Sequence, residues 1–186
     1  RVEDSPKLTV EQISAIARSM RKDMGGLDVI VVDYLQIMAR GLGGRLSTAD
    51  ATSLVTQSLK ALAKEMDVPI VLLSQLSRSV DSREDHRPRL SDLKDSGSIE
   101  QDADTVLFAY RDFYYAQREK PPENRPIEVQ EEWATRMAKG RNKIELIAAK
   151  QRNGDSGSVD LWFDPGCDLI LDDAIEDSIY REGFDL

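Results

Sequence analysis

The chain has 186 residues, 40% hydrophobic and 32% charged, a balance that suits a soluble globular domain and excludes a disordered or low-complexity polypeptide. No apolar run approaches the roughly 20 residues that cross a bilayer, Arg1-Val2-Glu3-Asp4-Ser5-Pro6 is no secretory leader, and the single cysteine, Cys167, excludes an internal disulfide and fits a reducing, cytoplasmic setting. The net charge of −9 does not exclude a nucleic-acid partner, because Asp164–Leu186 holds eight acids against one base and leaves the rest of the chain near neutral.

Thr9-Val10-Glu11-Gln12 predicts a capping box, opening a helix with Val10, Ile13, Ile16, Ala17 and Met20 on one face and Gly25-Gly26 at its end. Val29-Ile30-Val31-Val32 follows, an uninterrupted run that predicts a strand buried on both faces and closed by Asp33. Arg40–Arg45 is a glycine-rich loop. Ser47 or Thr48 caps the next helix, whose Leu54, Val55, Leu59, Leu62 and Met66 form a core stripe. Pro69–Ser74 predicts a second buried strand and Asp104–Tyr110 a third, separated by a polar stretch, 75–98, too long for an idle connection. Residues 112–141 predict a charged surface insertion with a helix around Val129–Met137. Lys143–Ala149 and Val159–Phe163 flank Asn153-Gly154 as a β-hairpin. From Asp164 on the chain is an acidic tail with a modest helical pattern at best. The alternation of helix and strand predicts an α/β domain over 1–163 with a mainly parallel sheet.

Several residues could carry chemistry. An acid ending a buried strand, as Asp33 does, projects into the crevice at the carboxyl edge of an α/β sheet. In nucleotide-hydrolysing enzymes such an acid helps hold Mg²⁺. If the second strand lies beside the first, Gln75 reaches the same crevice and offers a neutral amide to a phosphate oxygen or an attacking water. Strand alternation places Lys150 and Arg152 on one face of the hairpin with Gln151 opposite, two cations suited to an anion. In Ser91–Ser98, Lys94 and the backbone near Gly97 could bind a nucleic-acid phosphate. His86 has no Cys or His nearby to share a metal, and Gly-x-Ser-x-Gly is absent.

These segments, DVIVVDYLQIM (28–38), SQLSR (74–78), RPRLSDLKDSGSIEQDADTVLFAYR (87–111) and AAKQRNG (148–154), resemble successive motifs of the DnaB family of replicative DNA helicases over about Leu8–Phe163. The resemblance implies a RecA-like P-loop ATPase core that binds ATP and Mg²⁺, forms a hexameric ring and moves 5′→3′ on single-stranded DNA, with primase and a helicase loader as further partners. Asp33 would act on Mg²⁺ through water, and Gln75 would sense the terminal phosphate and pass its state to the DNA loops. Lys150 and Arg152 would reach a neighbour's ATP, Arg152 as the arginine finger. Lys94, Asp95 and Gly97 would track the DNA backbone, although the family usually has Arg-Glu where this chain has Lys94-Asp95. The Gly41–Arg45 stretch resembles the other channel loop.

No G-x-x-x-x-G-K-S/T occurs in the chain, and the family's water-activating glutamate also lies upstream of residue 1. These 186 residues alone are therefore expected neither to bind MgATP tightly nor to hydrolyse it. Two other readings remain at this point: a RecA-like recombination or repair ATPase that does not unwind DNA, and a non-catalytic interaction module.

Overall fold

Thr9 starts the first helix as predicted. Its hydroxyl accepts from the Gln12 amide at 3.3 Å while the Gln12 side chain accepts from the Thr9 amide at 2.9 Å, so two of the amides left open by a helix start are satisfied. Helix α1 (Val10–Met24) ends at Gly25, whose φ of 74° is the left-handed conformation that glycine adopts without a Cβ clash. The computed structural model describes residues 1–5, 8–42, 46–93 and 96–172, Ser96 by its backbone alone. Two compact units divide the chain: Arg1–Ser82 with Arg89–Asp104, and Arg83–Pro88 with the chain from Thr105 on.

In the first unit β1 (Ile30–Val32) pairs in parallel with β2 (Ile70–Leu72), Ile30 opposite Ile70 and Val32 opposite Leu72. Helix α2 (Leu35–Gly41) follows β1 directly, and α3 (Thr48–Met66) starts at Ser47, whose hydroxyl accepts from the Asp50 amide at 3.1 Å. Ala17 of α1, Leu62 and Met66 of α3, and Val68 make a core against which Ile30 and Ile70 pack. Val55, Leu59, Leu62 and Met66 are buried as their spacing predicts, but Leu54 is exposed. Adjacent helical residues diverge by roughly 100°, so Leu54 cannot share the face of Val55. The prediction that β1 is buried on both faces also needs correction. Ile30 and Val32 face the core, whereas Val31 is 62% exposed, together with Val29, Val71 and Leu73. Helix α4 (Ser96–Asp102) begins ahead of Ile99 and is tied to α3. Thr56 Oγ1 donates to Asp102 Oδ2 at 2.6 Å and Lys60 pairs with Asp104. The polar stretch 75–98 contains two short 3-10 turns, Arg78–Ser82 and Leu90–Asp92.

The second unit holds β3 (Thr105–Tyr110), α5 (Asp112–Arg118), α6 (Ile127–Gly140), β4 (Lys143–Gln151), β5 (Gly157–Asp164) and β6 (Leu169–Leu171). Its sheet runs β3-β4-β5-β6 and every pair is antiparallel. The expected mainly parallel sheet is thus not what the described strands form: β1–β2 is their one parallel pair. Strand β3 buries Val106 and Phe108 and exposes Thr105, Leu107 and Ala109. One-sided burial suits antiparallel pairing, and an apolar Leu107 on the open side hides the alternation from a reading of the sequence. The β4–β5 hairpin lies where Asn153-Gly154 predicts it. The acidic tail, by contrast, begins inside the sheet, since Leu169–Leu171 pairs with Trp162–Asp164; from residue 173 the tail lies outside the described residues. The insertion carries two helices rather than one. Trp133 Nε1 donates to the Ala116 carbonyl at 2.7 Å, which ties α6 to α5.

Candidate functional site

The parallel ladder continues past the named strands. The Leu73 amide donates to the Val32 carbonyl and the Leu35 amide to the Leu73 carbonyl, each at 3.0 Å. Asp33 therefore leaves β1, and Ser74-Gln75 leaves β2, at one carboxyl edge, as expected if the strands are neighbours. Both Asp33 and Gln75 are exposed, and the Asp33–Tyr34 peptide bond is cis.

A residue that the sequence did not single out fixes this edge. Gln36, only 6% exposed, sits on α2 between apolar neighbours. Its Nε2 donates to Ser74 Oγ at 3.0 Å and to the Gln75 carbonyl at 3.3 Å, while its Oε1 accepts from the Gln75 amide at 3.1 Å. A buried amide is costly unless so bonded. The one signal in the sequence was a glutamine inside the apolar turn Leu35-Gln36-Ile37-Met38. Immediately beyond Gln75, Leu76 forms an antiparallel bridge with Leu93, and the Ser77 amide donates to the Asp92 carbonyl at 2.7 Å. Asp92 is itself buried, with Oδ2 accepting from the Arg89 amide at 2.7 Å.

Lys94 and Asp95 lie outside the described residues, as do residues 43–45 of the glycine-rich loop. Gly97 is on the first turn of α4, and a Cβ built there would meet none of the described atoms within 4 Å. Thr56 of α3 bonds Asp102, the last residue of α4, and Lys60 pairs with Asp104 just beyond it.

Lys150 and Arg152 belong to the second unit, at the end of the β4–β5 hairpin. Leu107 pairs with Ala148 but Val106 with Lys150, leaving Ala149 as an extra residue in β4. Such a bulge re-aims the residues that follow, and directly opposed residues share a face, so Lys150 lies on the face of Val106. Strand β4 ends at Gln151, and Arg152 is in the turn. The strand alternation invoked for both cations therefore stops one residue short of the arginine. Lys150 is half-buried and Arg152 exposed. His86 stacks on Tyr115 with ring centres 4.4 Å apart, and its Nε2 lies 2.6 Å from Glu119 Oε1.

The edge thus offers one exposed carboxylate, one exposed amide and a main chain held on either side of that amide. Among the described residues no three His, Cys, Asp or Glu side chains gather to hold a metal, and no helix is long and apolar enough to cross a membrane. A lone carboxylate still fits Mg²⁺ carried by a nucleotide, since that ion keeps several waters and takes one or two carboxylates beside the phosphates.

The family model described as the DnaB-like helicase C terminal domain matches residues 1–170. A replicative DNA helicase DnaB of Rickettsia bellii is 45% identical over 165 residues, covering 88% of this chain and 33% of that protein. One from Geobacillus stearothermophilus is 44% identical over 162 residues, 87% of this chain and 31% of its own length. A solved DnaB-like replicative helicase, described with its interactions with primase, superposes with a TM-score of 0.74 at 35% identity over 92% of this chain and 36% of its own. A second solved structure, described as an ATPase domain, gives 0.71 at 36% identity over 88% of this chain and 51% of its own. The chain spans about a third of the length of the curated relatives it matches.

Proposed function

We propose that this chain, which belongs to the DnaB-like helicase C-terminal domain family, is the downstream part of a RecA-like motor that hydrolyses ATP to move along single-stranded DNA and part the duplex at a replication fork. The observation that carries the reading is the shared carboxyl edge of β1 and β2. It presents Asp33 and Gln75 together, and Leu76 is bridged to Leu93 directly ahead of Lys94.

In this reading Asp33 holds Mg²⁺ through water and Gln75 bonds the terminal phosphate or the attacking water. MgATP, when bound, supplies the phosphoryl group and the metal that neutralises its developing charge. Lys150 and Arg152 deliver positive charge to the ATP of a neighbouring subunit, Arg152 from a turn and Lys150 from a strand end. Lys94, Asp95 and the backbone at Gly97 meet the DNA phosphates, a mode that positions a strand without reading its sequence. Subunits form a hexameric ring, and primase and a helicase loader are its further partners.

The test is strand separation by the full-length protein on a forked duplex. ATP-dependent unwinding is expected, with loss of it in Asp33→Asn. ATP hydrolysis stimulated by single-stranded DNA but without unwinding would instead favour a recombination or repair ATPase.

A further inference from the structure

We infer that Gln36 is a positioning residue that couples the nucleotide site to the DNA-facing segment, by holding the main chain of Gln75. This rests on the reading of Gln75 and of residues 94–97 given above.

Gln36 occupies a place that an apolar side chain would fill more cheaply, so the amide is explained by what it bonds. The hydrogen-bonded ladder between β1 and β2 runs out at Leu73. Beyond it the Gln36 side chain takes over as a substitute strand, engaging both the N–H and the C=O of Gln75 and also the Ser74 hydroxyl. Gln36 lies three residues past Asp33 on the helix that leaves the same edge. The backbone that presents the acid and the backbone that presents the amide are thereby tied to each other. One residue further along, Leu76 is bridged to Leu93 and Ser77 is bonded to Asp92. Residues 74–77 are consequently a short span held at one end by the nucleotide edge and at the other by the residues that lead into Lys94. A displacement of the Gln75 side chain when the terminal phosphate is lost has little slack to dissipate in, and it moves the 92–93 end. Both hydrogens of the Gln36 amide are taken by Ser74 and Gln75 and its oxygen by the Gln75 amide, so it acts through Gln75 and not on the reacting atoms.

The experiment compares ATP turnover with and without single-stranded DNA in the full-length protein and in two variants. Gln36→Met keeps length and burial and removes all three hydrogen bonds. Ser74→Ala removes one acceptor and is the milder change. The expected result is a stimulation ratio reduced at least about fivefold in Gln36→Met and by less in Ser74→Ala. The KM for MgATP and the Kd for single-stranded DNA should stay within about twofold. A purely structural role would lower the unfolding temperature and depress stimulated and unstimulated turnover alike, leaving their ratio unchanged; that result overturns the inference. So does wild-type stimulation in folded Gln36→Met. If that variant does not fold, Ser74→Ala decides by the same ratio. Gln75→Ala, run alongside, separates the two levels. Full stimulation in Gln75→Ala removes the underlying reading and the inference with it. Loss there, with stimulation retained in both Gln36→Met and Ser74→Ala, removes the inference alone.

Discussion

Gly97 shows how a single position can point away from the fold. Nothing described lies within 4 Å of a Cβ built there, and its φ is not left-handed, so neither packing nor backbone conformation demands a glycine. A close approach by a DNA phosphate would demand one. Gly97→Ala should leave the unfolding temperature unchanged or slightly raised, because alanine suits a helix better. It should also weaken single-stranded DNA binding by about tenfold, the scale of a lost hydrogen bond or two. Fluorescence anisotropy beside a thermal melt checks both halves, and wild-type affinity in the variant would count against the DNA assignment. Asp33 was legible because an acid closing an apolar run is a local pattern. Gln36 was not, because its meaning lies in partners 38 and 39 residues away, and nothing in its own neighbourhood announces them.

Elements with local signals were readable and those held by distant partners were not. Thr9, Ser47 and Gly25 mark helix ends through groups within a few residues, and the hairpin follows from its turn. Strand β6 is three residues between Asp168 and Asp172, too short to show a period. Helix α5 is held by charge as well as by the bond from Trp133. Arg136 of α6 reaches both Asp112 oxygens, at 2.6 and 2.7 Å, and Glu119 at 2.6 Å. The guanidinium bonds hold the Asp112 and Glu119 carboxyls below their usual range. Burial and the Asp112 charge push the Tyr110 hydroxyl up to about 12, so it stays a donor to Asp112 at 3.1 Å. Carboxylates depressed in the folded state stabilise it above their ordinary pKa, and that contribution is lost as the pH falls through their lowered values. Melts from pH 7 downward should therefore show an acid loss setting in below about pH 4. Arg136→Met should blunt that loss and cost about 1 kcal/mol at neutral pH, since the cluster is partly exposed. Parallel pH profiles in the two proteins would contradict this account of the helix pair.

At the scale of the whole molecule the family was legible from its motifs and the strand arrangement was not. A run such as Val29–Val32 is composed for two covered faces, yet Val29 and Val31 are exposed beside Val71 and Leu73. The composition of β3 suggested the same burial, and its pairing is antiparallel. What the division into units adds is a separation of roles. Asp33 and Gln75 belong to the first unit and Lys150 and Arg152 to the second, so each copy of the chain carries both an acid half and a cationic half. The proposal joins the acid half of one subunit to the cationic half of the next. ATP turnover by mixed full-length oligomers tests that most directly, with Asp33→Asn in one subunit type and Arg152→Ala in the other. Each alone should be nearly inactive, since a cation supplied in trans is worth about 10³–10⁵ in rate. Mixing should restore turnover, because some junctions then unite an intact Asp33 with an intact Arg152. Turnover in the mixture no higher than the sum of the two separate preparations would contradict the account.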